Sequence, residues 1–211
     1  MEMKTYGRRL SELRSPIVSD VLDKIGVEGV IPGLIPVFDQ AVAVGRAMPV
    51  PVRSRPNAPK GLREGLMEAI DLSARGTVLV VSSDTQACTA WGGLVSRYAK
   101  LSGIAGAVVC GATRDTEETA ALRLPVFVSA VTPRSGYNRV EVLSPGTPIR
   151  CGSITVQKDD LVVADRDGVV VVPSPLIPEV LDTAFSLLAK EGNHIADMRK
   201  RLKKQRQSRS P

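Results

Sequence analysis

Apolar residues recur at helical spacing in several parts of the chain. The amino-terminal set predicts a helix over roughly 8–25, closed by Gly26, from Leu10, Leu13, Val18, Val21, Leu22 and Ile25. A central set predicts a helix that ends at Gly103, from Trp91, Leu94, Val95, Tyr98 and Leu101. Shorter helices are predicted over about 61–74 and 116–123, and a carboxyl-terminal helix from Ile177 onward runs into the tail.

Short, nearly continuous apolar runs predict buried strands. They lie at 41–52, where Gly45 is a candidate bulge, and at 77–83, 105–110 and 125–131. Strands and helices alternate from 77 to 131, which predicts a layered α/β core with parallel crossovers. Four short β runs follow Thr132, separated by the turn signals SPG, QKDD and DRDG, and predict an appended antiparallel meander.

The composition is that of one soluble domain. The chain has 211 residues, of which 43% are hydrophobic and 24% charged. No apolar stretch approaches the ~18 residues that span a bilayer. The amino-terminal MEMKTYGRRL lacks the apolar core of a signal peptide. We therefore expect no membrane association and a cytoplasmic location.

The net charge of +6 is concentrated at one end of the chain. Residues 197–211 (DMRKRLKKQRQSRSP) contain seven Lys or Arg and one Asp, which accounts for the whole net charge. The division that follows is an α/β domain over 1–196 and a basic tail over 197–211. Such a tail can contact nucleic acid or acidic partners, but at this length a flexible, solubilising end is the commoner role.

Cysteine and histidine usage excludes several chemistries. Cys88, Cys110 and Cys151 each lie in an apolar or small-residue context, which predicts reduced, buried side chains. The chain has one histidine, His194, so zinc sites and histidine-dependent nucleophiles are disfavoured. Any metal would be a hard cation held by oxygen atoms.

Two short stretches are candidate sites. Arg114 and Asp115 follow a predicted strand at its carboxyl end, where ligand sites of open α/β sheets gather. Asp115 with Glu118 three residues later also matches a helix N-cap with an acidic partner, and on pattern alone that explanation is commoner. Gly92 and Gly93 would leave backbone N–H groups bare at a helix start, as an anion site or for close packing against a strand.

Read together, the blocks of the chain resemble the RraA-like family. The central block is WGGLVSRYAKLSGIAGAVVCGATRD, and the others follow in family order: SPIVSDVLDKIG, GLIPVFDQAVAVGRA, LRLPVF and VQKDDLVVADRDGVVVVP. The resemblance covers most of the chain but not the basic tail. It implies a layered α/β/β/α sandwich with mixed sheets, in a homotrimer or a hexamer whose active sites lie between subunits.

The resemblance also implies a chemistry. The family includes 4-hydroxy-4-methyl-2-oxoglutarate and 4-carboxy-4-hydroxy-2-oxoadipate aldolases, which are divalent-metal-dependent (class II) pyruvate lyases that also decarboxylate oxaloacetate. By that resemblance Asp115 would hold Mg²⁺ or Mn²⁺, and Arg114 would contact the carboxylate and keto oxygen of a 2-oxo acid substrate. Glu191 would reach a neighbouring subunit's site. The substrate carboxylate would bind backbone amides of Gly92, Gly93, Leu94 and Val95.

The chain departs from the family pattern at one position. Aldolase members usually carry an acidic residue about twenty positions before the Arg-Asp pair, and here that position is Gly93. The alternative within the family is a non-catalytic regulator of ribonuclease activity. That branch lacks the acidic residue after the arginine, so Asp115 favours a lyase. Groups beyond the pyruvyl unit would be read by loops such as 53–60 and 132–139.

Overall fold

A mixed β-sheet forms the centre of the computed structural model, which describes residues 7–57 and 61–207. Ten strands of this part of the chain form one sheet, and two more form a separate hairpin. The helices are α1 (Ser15–Lys24), α2 (Leu62–Asp71), α3 (Gly93–Ser102), α4 (Thr116–Ala121) and α5 (Ile177–Gln207). The strands are β1 (Val30–Ile31), β2 (Ile35–Pro36), β3 (Ala43–Ser54), β4 (Val78–Ser83), β5 (Thr89–Trp91), β6 (Gly106–Thr113), β7 (Val126–Val131), β8 (Val140–Val142), β9 (Ile149–Cys151), β10 (Ile154–Val156), β11 (Leu161–Asp165) and β12 (Gly168–Val172).

The parallel core that the sequence predicts is confirmed. Strands β3, β4, β6 and β7 pair in parallel in that order, with α2, α3 and α4 on the connections between them. The apolar runs of β4 and β6 are buried on both faces, which explains why they read as continuous rather than alternating. The carboxyl ends of these strands meet at one edge of the sheet, where ligand sites of such sheets lie.

The strands after Thr132 do not form one continuous meander. Strand β3 is 12 residues long, so it pairs with β11 at its start (Ala43–Arg46) and with β8 near its end (Val52–Ser54). Strands β11 and β12 form the predicted hairpin, with Arg166 and Asp167 between Asp165 and Gly168. Strands β9 and β10 form the separate hairpin. The expected meander is therefore two hairpins and a single strand, because β3 supplies the partner edge for two of them.

Three apolar clusters hold these layers together. One lies between the sheet and helices α2 and α3, and includes Leu66 and Leu79. A second lies on the other face of the sheet, under the β9–β10 hairpin, and includes Val80 and Ile149. A third joins α1 and α5 to β11 and β12. Leu79 and Val80 enter different clusters because successive strand side chains point to opposite faces.

Two local predictions are corrected. The helix expected over 8–25 is a 3-10 segment at Gly7–Glu12 followed by α1, which begins at Ser15. The start of α1 is held by the Asp165 carboxylate, which accepts bonds of 2.6 Å from the backbone N and from Oγ of Ser15. Gly45 is not a bulge and pairs in regular register with β11. It is glycine because a Cβ there would lie 2.2 Å from the carbonyl oxygen of Gly76.

The prediction of three reduced cysteines is wrong for two of them. Cys110 of β6 and Cys151 of β9 form a disulfide, with a Cα–Cα distance of 5.8 Å. They are 41 residues apart in sequence, so spacing along the chain carries no sign of their pairing. The bond joins the β9–β10 hairpin to the sheet. Cys88 remains free and buried, and that burial raises the pKa of its thiol.

Helix α5 has a packed half and an exposed half. Its first turns pack against α1 and β11, whereas every residue from 189 to 201 is exposed. The described part of the basic tail, to Gln207, continues this helix, and the domain boundary at residue 196 stays a prediction. Among the described residues, no helix combines the length and apolar character that crossing a membrane requires.

Candidate active site

A charged pocket of about 280 Å³ opens at the carboxyl end of β6. Its first wall combines the start of α3 with the Arg-Asp pair that follows β6. Its second wall combines the start of α2 with residues 135–137, and Thr89 and Trp91 complete the lining. The first wall brings together six of the predicted site residues: Gly92, Gly93, Leu94, Val95, Arg114 and Asp115.

Asp115 does not act as the side-chain cap that its pattern favours. It stands directly before α4, with a left-handed backbone (φ 58°, ψ 41°), a conformation that aspartate tolerates better than most residues. Its side chain makes no capping bond to α4. Instead Oδ2 accepts a bond of 3.1 Å from the backbone N of Gly93 at the start of α3. The left-handed turn therefore directs the carboxylate away from its own helix and into the pocket wall.

Arg114 lies beside this carboxylate. Its Nε is 3.4 Å from Asp115 Oδ2, and the two side chains are 39% and 40% exposed. Its backbone N donates to the carbonyl oxygen of Trp91, at 3.2 Å, which fixes the turn after β6. An anion entering the pocket would meet a guanidinium with donors to spare, and a cation would meet a half-exposed carboxylate.

The two glycines at the start of α3 allow these side chains to come close. A Cβ at Gly92 would lie 3.1 Å from Asp115 Oδ2. A Cβ at Gly93 would lie 2.3 Å from Glu118 Oε2 and 3.1 Å from the Cβ of Asp115. Close packing therefore explains the two glycines. Their neighbours are the acidic side chains of Asp115 and Glu118, whereas the sequence suggested a neighbouring strand. The amide of Gly93 donates to Asp115 Oδ2, so the first-turn amides of α3 that remain for an anion are those of Leu94 and Val95.

Glu118 is a carboxylate next to the pocket but not one of its lining residues, and the sequence pattern assigned it to a capping box. Its Oε1 accepts from Nη2 of Arg97 at 2.8 Å, and its Oε2 fills the space where a side chain at Gly93 would begin. It lies on α4, three residues after Asp115, which directly precedes that helix. This spacing from Asp115, together with a glycine at position 93 where an acidic residue is expected, is the sequence signal that could have identified Glu118.

Buried hydrogen bonds hold α3 and α4 in this arrangement. Trp91 is fully buried, and its Nε1 donates to Ser96 Oγ at 2.8 Å. Ser96 Oγ is also 3.1 Å from Thr119 Oγ1 of α4, and both hydroxyl residues are buried. Because these groups have no access to water, losing a partner would be costly. The two helix starts that frame the site are therefore fixed relative to each other.

The second wall carries another ion pair. Arg63 donates to Glu64 Oε1 through Nη2 at 2.7 Å and through Nε at 3.1 Å. A hydrogen bond from the backbone of Glu64, and then the Arg63 guanidinium, hold the pKa of the Glu64 carboxyl below its usual range. Ser135, Gly136 and Tyr137 of the expected 132–139 loop line the same wall. Part of the other expected loop, residues 58–60, lies outside the described residues.

Glu191 is not part of this pocket within the chain. It lies on the exposed half of α5, as does His194. A contribution of Glu191 to a neighbouring subunit's site stays a prediction.

The donor set fits a hard cation that keeps most of its waters. Asp115 Oδ1 makes no hydrogen bond to any described residue, and the carboxylate is partly exposed. Within the described residues, no group of three or more His, Cys, Asp or Glu could hold a metal. Mg²⁺ is commonly bound through one or two carboxylates, with water and substrate oxygens completing the shell. Asp115 suits this way of binding Mg²⁺, and the described residues form no site in which protein side chains alone surround the ion.

The fold and site define an α/β protein with a carboxylate–arginine pair beside the start of a helix, at the carboxyl edge of a mixed sheet. The chain belongs to the RraA-like family, whose model, described as Aldolase/RraA, matches residues 15–171. The match includes the sheet, both pocket walls and the Arg-Asp pair, and it ends before α5.

Relatives agree with this assignment. The chain is 30% identical over 186 residues to "Protein DlpA" of Legionella pneumophila, which covers 87% of this chain but 30% of that protein. It is 32% identical over 172 residues to a Halalkalibacterium halodurans protein named "Putative 4-hydroxy-4-methyl-2-oxoglutarate aldolase", covering 79% and 76% of the two chains. A relative from Methanocaldococcus jannaschii is 34% identical over 114 residues, which make up 53% of its length. The chain therefore spans about a third of the Legionella protein and about half of the Methanocaldococcus protein.

Solved structures share the fold. An uncharacterized protein from Pseudomonas syringae pv. tomato superposes with a TM-score of 0.82 at 28% identity, over 94% of this chain and 90% of that one. Streptomyces coelicolor RraAS2, described as an unusual member of the RNase ES inhibitor RraA protein family, superposes with a TM-score of 0.80 at 24% identity, over 94% and 98%. At that identity the second likeness concerns the fold alone.

Proposed function

We propose that the protein is a divalent-metal-dependent carbon–carbon lyase that forms pyruvate from a 4-hydroxy-2-oxo acid, from oxaloacetate, or from both. The observation that carries the proposal is the orientation of Asp115, whose carboxylate faces the pocket beside Arg114 instead of capping α4. Aldolase names among the relatives support the same reaction class.

The proposed reaction breaks one carbon–carbon bond. In retro-aldol cleavage the C3–C4 bond breaks, the C4 hydroxyl loses its proton, and C3 gains a proton to become the methyl group of pyruvate. In decarboxylation the same bond breaks and C4 leaves as CO₂. Both routes pass through the enolate of pyruvate, whose negative charge develops on the C2 oxygen. Fixed positive groups near that oxygen lower the barrier.

The residues of the first wall take separate roles in this proposal. The first-turn amides of Leu94 and Val95, which follow the Gly93 amide bound to Asp115, bind the C1 carboxylate, and the Arg114 guanidinium donates to that carboxylate and to the C2 oxygen. Asp115 is the protein ligand for Mg²⁺ or Mn²⁺. When bound, the ion would supply Lewis-acid stabilisation of the charge on the C2 oxygen.

Glu118 is the acidic group we assign to proton transfer in place of the residue missing at Gly93. Its carboxylate lies over Gly93 and is oriented by Arg97. There it can accept a proton through a water and return it to C3. We further propose that the protein works as a homotrimer or hexamer, in which Glu191 of one subunit reaches the site of the next.

The test is pyruvate release from oxaloacetate and from a 4-hydroxy-2-oxo acid, with and without Mg²⁺. Asp115→Asn keeps the size of the side chain but removes its charge, so we expect activity to fall at least about 100-fold with the thermal midpoint little changed. The matched control is Asp159→Asn, because Asp159 also has a left-handed backbone (φ 70°) and lies outside the pocket. Turnover that survives EDTA, or the Asp115→Asn change, would contradict the proposal.

The same experiments separate the lyase from a ribonuclease regulator. A regulator would show no Mg²⁺ binding by calorimetry, no pyruvate release, and co-purification with a ribonuclease. The retained Asp115, with a side-chain oxygen free for a cation, favours the lyase.

A further inference from the structure

The pocket is larger than the part of the substrate assigned to its first wall. Its volume of about 280 Å³ equals that of about nine water molecules in the liquid, at about 30 Å³ each. Pyruvate, with six non-hydrogen atoms, fills only part of this volume. The remaining space is bounded by the second wall, formed by Gly61–Glu64 and Ser135–Tyr137. A substrate whose C1 carboxylate lies at α3 would extend its C4 end toward this wall.

Arg63 is the positively charged residue among the described residues of that wall. Glu64 is the carboxylate beside it, while Leu62, Ser135, Gly136 and Tyr137 are uncharged. Arg63 directs Nε and Nη2 to a single oxygen, Glu64 Oε1. A guanidinium has five N–H donors, so Nη1 and one N–H of Nη2 remain available, since no other described residue accepts from them.

Glu64 holds this guanidinium in place. Because the hydrogen bond from its own backbone and the ion pair with Arg63 lower the pKa of the Glu64 carboxyl, the carboxylate is charged at neutral pH. It lies in the first turn of α2, which ties the ion pair to a helix rather than to a mobile loop. An oriented arginine loses less conformational freedom on binding than a free one, so it discriminates better between ligands.

We propose that Arg63 is a specificity-determining residue that binds a carboxylate on the C4 side of the substrate, the part released as the second product. Glu64 is the positioning residue that presents the free edge of the guanidinium to that carboxylate. The inference rests on the proposed function and adds to it which end of the substrate meets the second wall.

Two substrates of equal backbone length test this assignment. 4-Hydroxy-2-oxoglutarate carries a carboxylate on C4 and yields pyruvate and glyoxylate, whereas 4-hydroxy-2-oxopentanoate carries a methyl group there and yields pyruvate and acetaldehyde. We expect Arg63→Met to lower kcat/KM about 10- to 100-fold for the first substrate and to change it by less than about threefold for the second. Arg63→Lys should fall between, because it keeps the charge but loses the fork.

The control is Arg166→Met, because Arg166 is also an exposed arginine in an ion pair, with Asp39, and lies outside this pocket. It should leave both substrates unaffected. Equal losses for the two substrates in Arg63→Met, or no loss for either, would overturn the role of Arg63.

A binding measurement keeps this outcome separate from a failure of the proposed function. Calorimetry with Mg²⁺ compares 2-oxoglutarate with 2-oxopentanoate, neither of which has the C4 hydroxyl needed for cleavage. Arg63→Met should abolish the preference of the wild-type protein for 2-oxoglutarate. If the wild type releases no pyruvate but shows this preference, the lyase proposal fails and the subsite stands. If it has no preference, the subsite proposal is wrong.

Discussion

The left-handed backbone at Asp115 decides what its carboxylate can do. A normal capping geometry would direct the side chain to the amides of α4, but φ of 58° directs it to Gly93 at the start of α3 instead. Asp115 thus caps a helix that starts 22 residues earlier in sequence. The free Oδ1 and the neighbouring Arg114 then face a pocket rather than a helix end.

Gly93→Ala tests whether the space over residue 93 belongs to Glu118. The new methyl group would fall 2.3 Å from Glu118 Oε2 and 3.1 Å from the Cβ of Asp115, so the Glu118 carboxylate must move away, whereas Asp115 needs to shift only slightly. We expect kcat to fall about 100-fold, the lower range for losing a proton-transfer group, and stability to change by less than about 1 kcal/mol. Steady-state kinetics and thermal melts measure the two effects.

Gly192→Ala is the control for that substitution, because nothing lies within 4 Å of a Cβ there. It should leave kcat unchanged and stabilise α5 by about 0.5–1 kcal/mol. Unchanged kcat in Gly93→Ala would remove Glu118 from the mechanism.

Strand β6 connects the disulfide to the site. Its pairing with β7 is interrupted between Val109 and Ala112, and Cys110 lies in this interval. The strand ends at Thr113, three residues after Cys110, and Arg114 follows. The disulfide to Cys151 of β9 therefore anchors β6 at the point where its pairing with β7 is irregular, just before the Arg-Asp pair.

Removing the disulfide should destabilise the fold as a whole. The bridge closes a loop of 41 residues in sequence, so Cys151→Ser should lower the free energy of unfolding by about 4 kcal/mol by the loop-entropy relation. Urea titrations of wild type and variant, each with and without dithiothreitol, measure this. The reductant should shift the wild type to the variant's midpoint and leave the variant unmoved. Three reactive thiols in the unfolded, unreduced wild type would contradict the bond.

At the scale of the whole molecule, the excess of basic residues and the pocket lie in different parts of the chain. The family match ends at residue 171, and the pocket uses no residue beyond Tyr137. Among the basic residues after Asp197, those whose exposure the structure describes, Arg199, Lys200 and Arg201, are exposed on α5. An exposed helix without packing is marginally stable alone, so this segment adds little to the stability of the body.

A stop codon after Ala196 tests that separation. Because residues 189–201 are all exposed, we expect the thermal midpoint to change by less than about 2 °C and pyruvate release to persist. Glu191 is retained in this truncated chain, which keeps the proposed inter-subunit contact. Gel filtration of both chains is the companion measurement. Loss of folding would show that the domain does not end at residue 196.

Local sequence patterns were enough to predict the parallel core, the end of α3 at Gly103 and the β11–β12 turn. Each depends on residues adjacent in the chain: apolar periodicity buries one face or both, and glycine tolerates the left-handed backbone (φ 79°) that ends α3. The family resemblance identified Arg114, Asp115 and the glycines of α3. It could do so because a sequence motif, like a helix or a turn, consists of residues close together in the chain. Boundaries were off by a few residues where a distant group, such as Asp165 at the start of α1, decides them.

Tertiary structure decided what depends on contacts between distant segments. Three such cases are the pairing of Cys110 with Cys151, the approach of Glu118 to Gly93, and the presence of Arg63 and Arg114 in the lining of one pocket. No spacing along the chain relates these residues. By itself, the sequence determined the elements and marked one edge of the sheet as the candidate site. The packing of α2, α3 and α4 around that edge determined which side chains face the same pocket, because only packing brings their charges within contact distance.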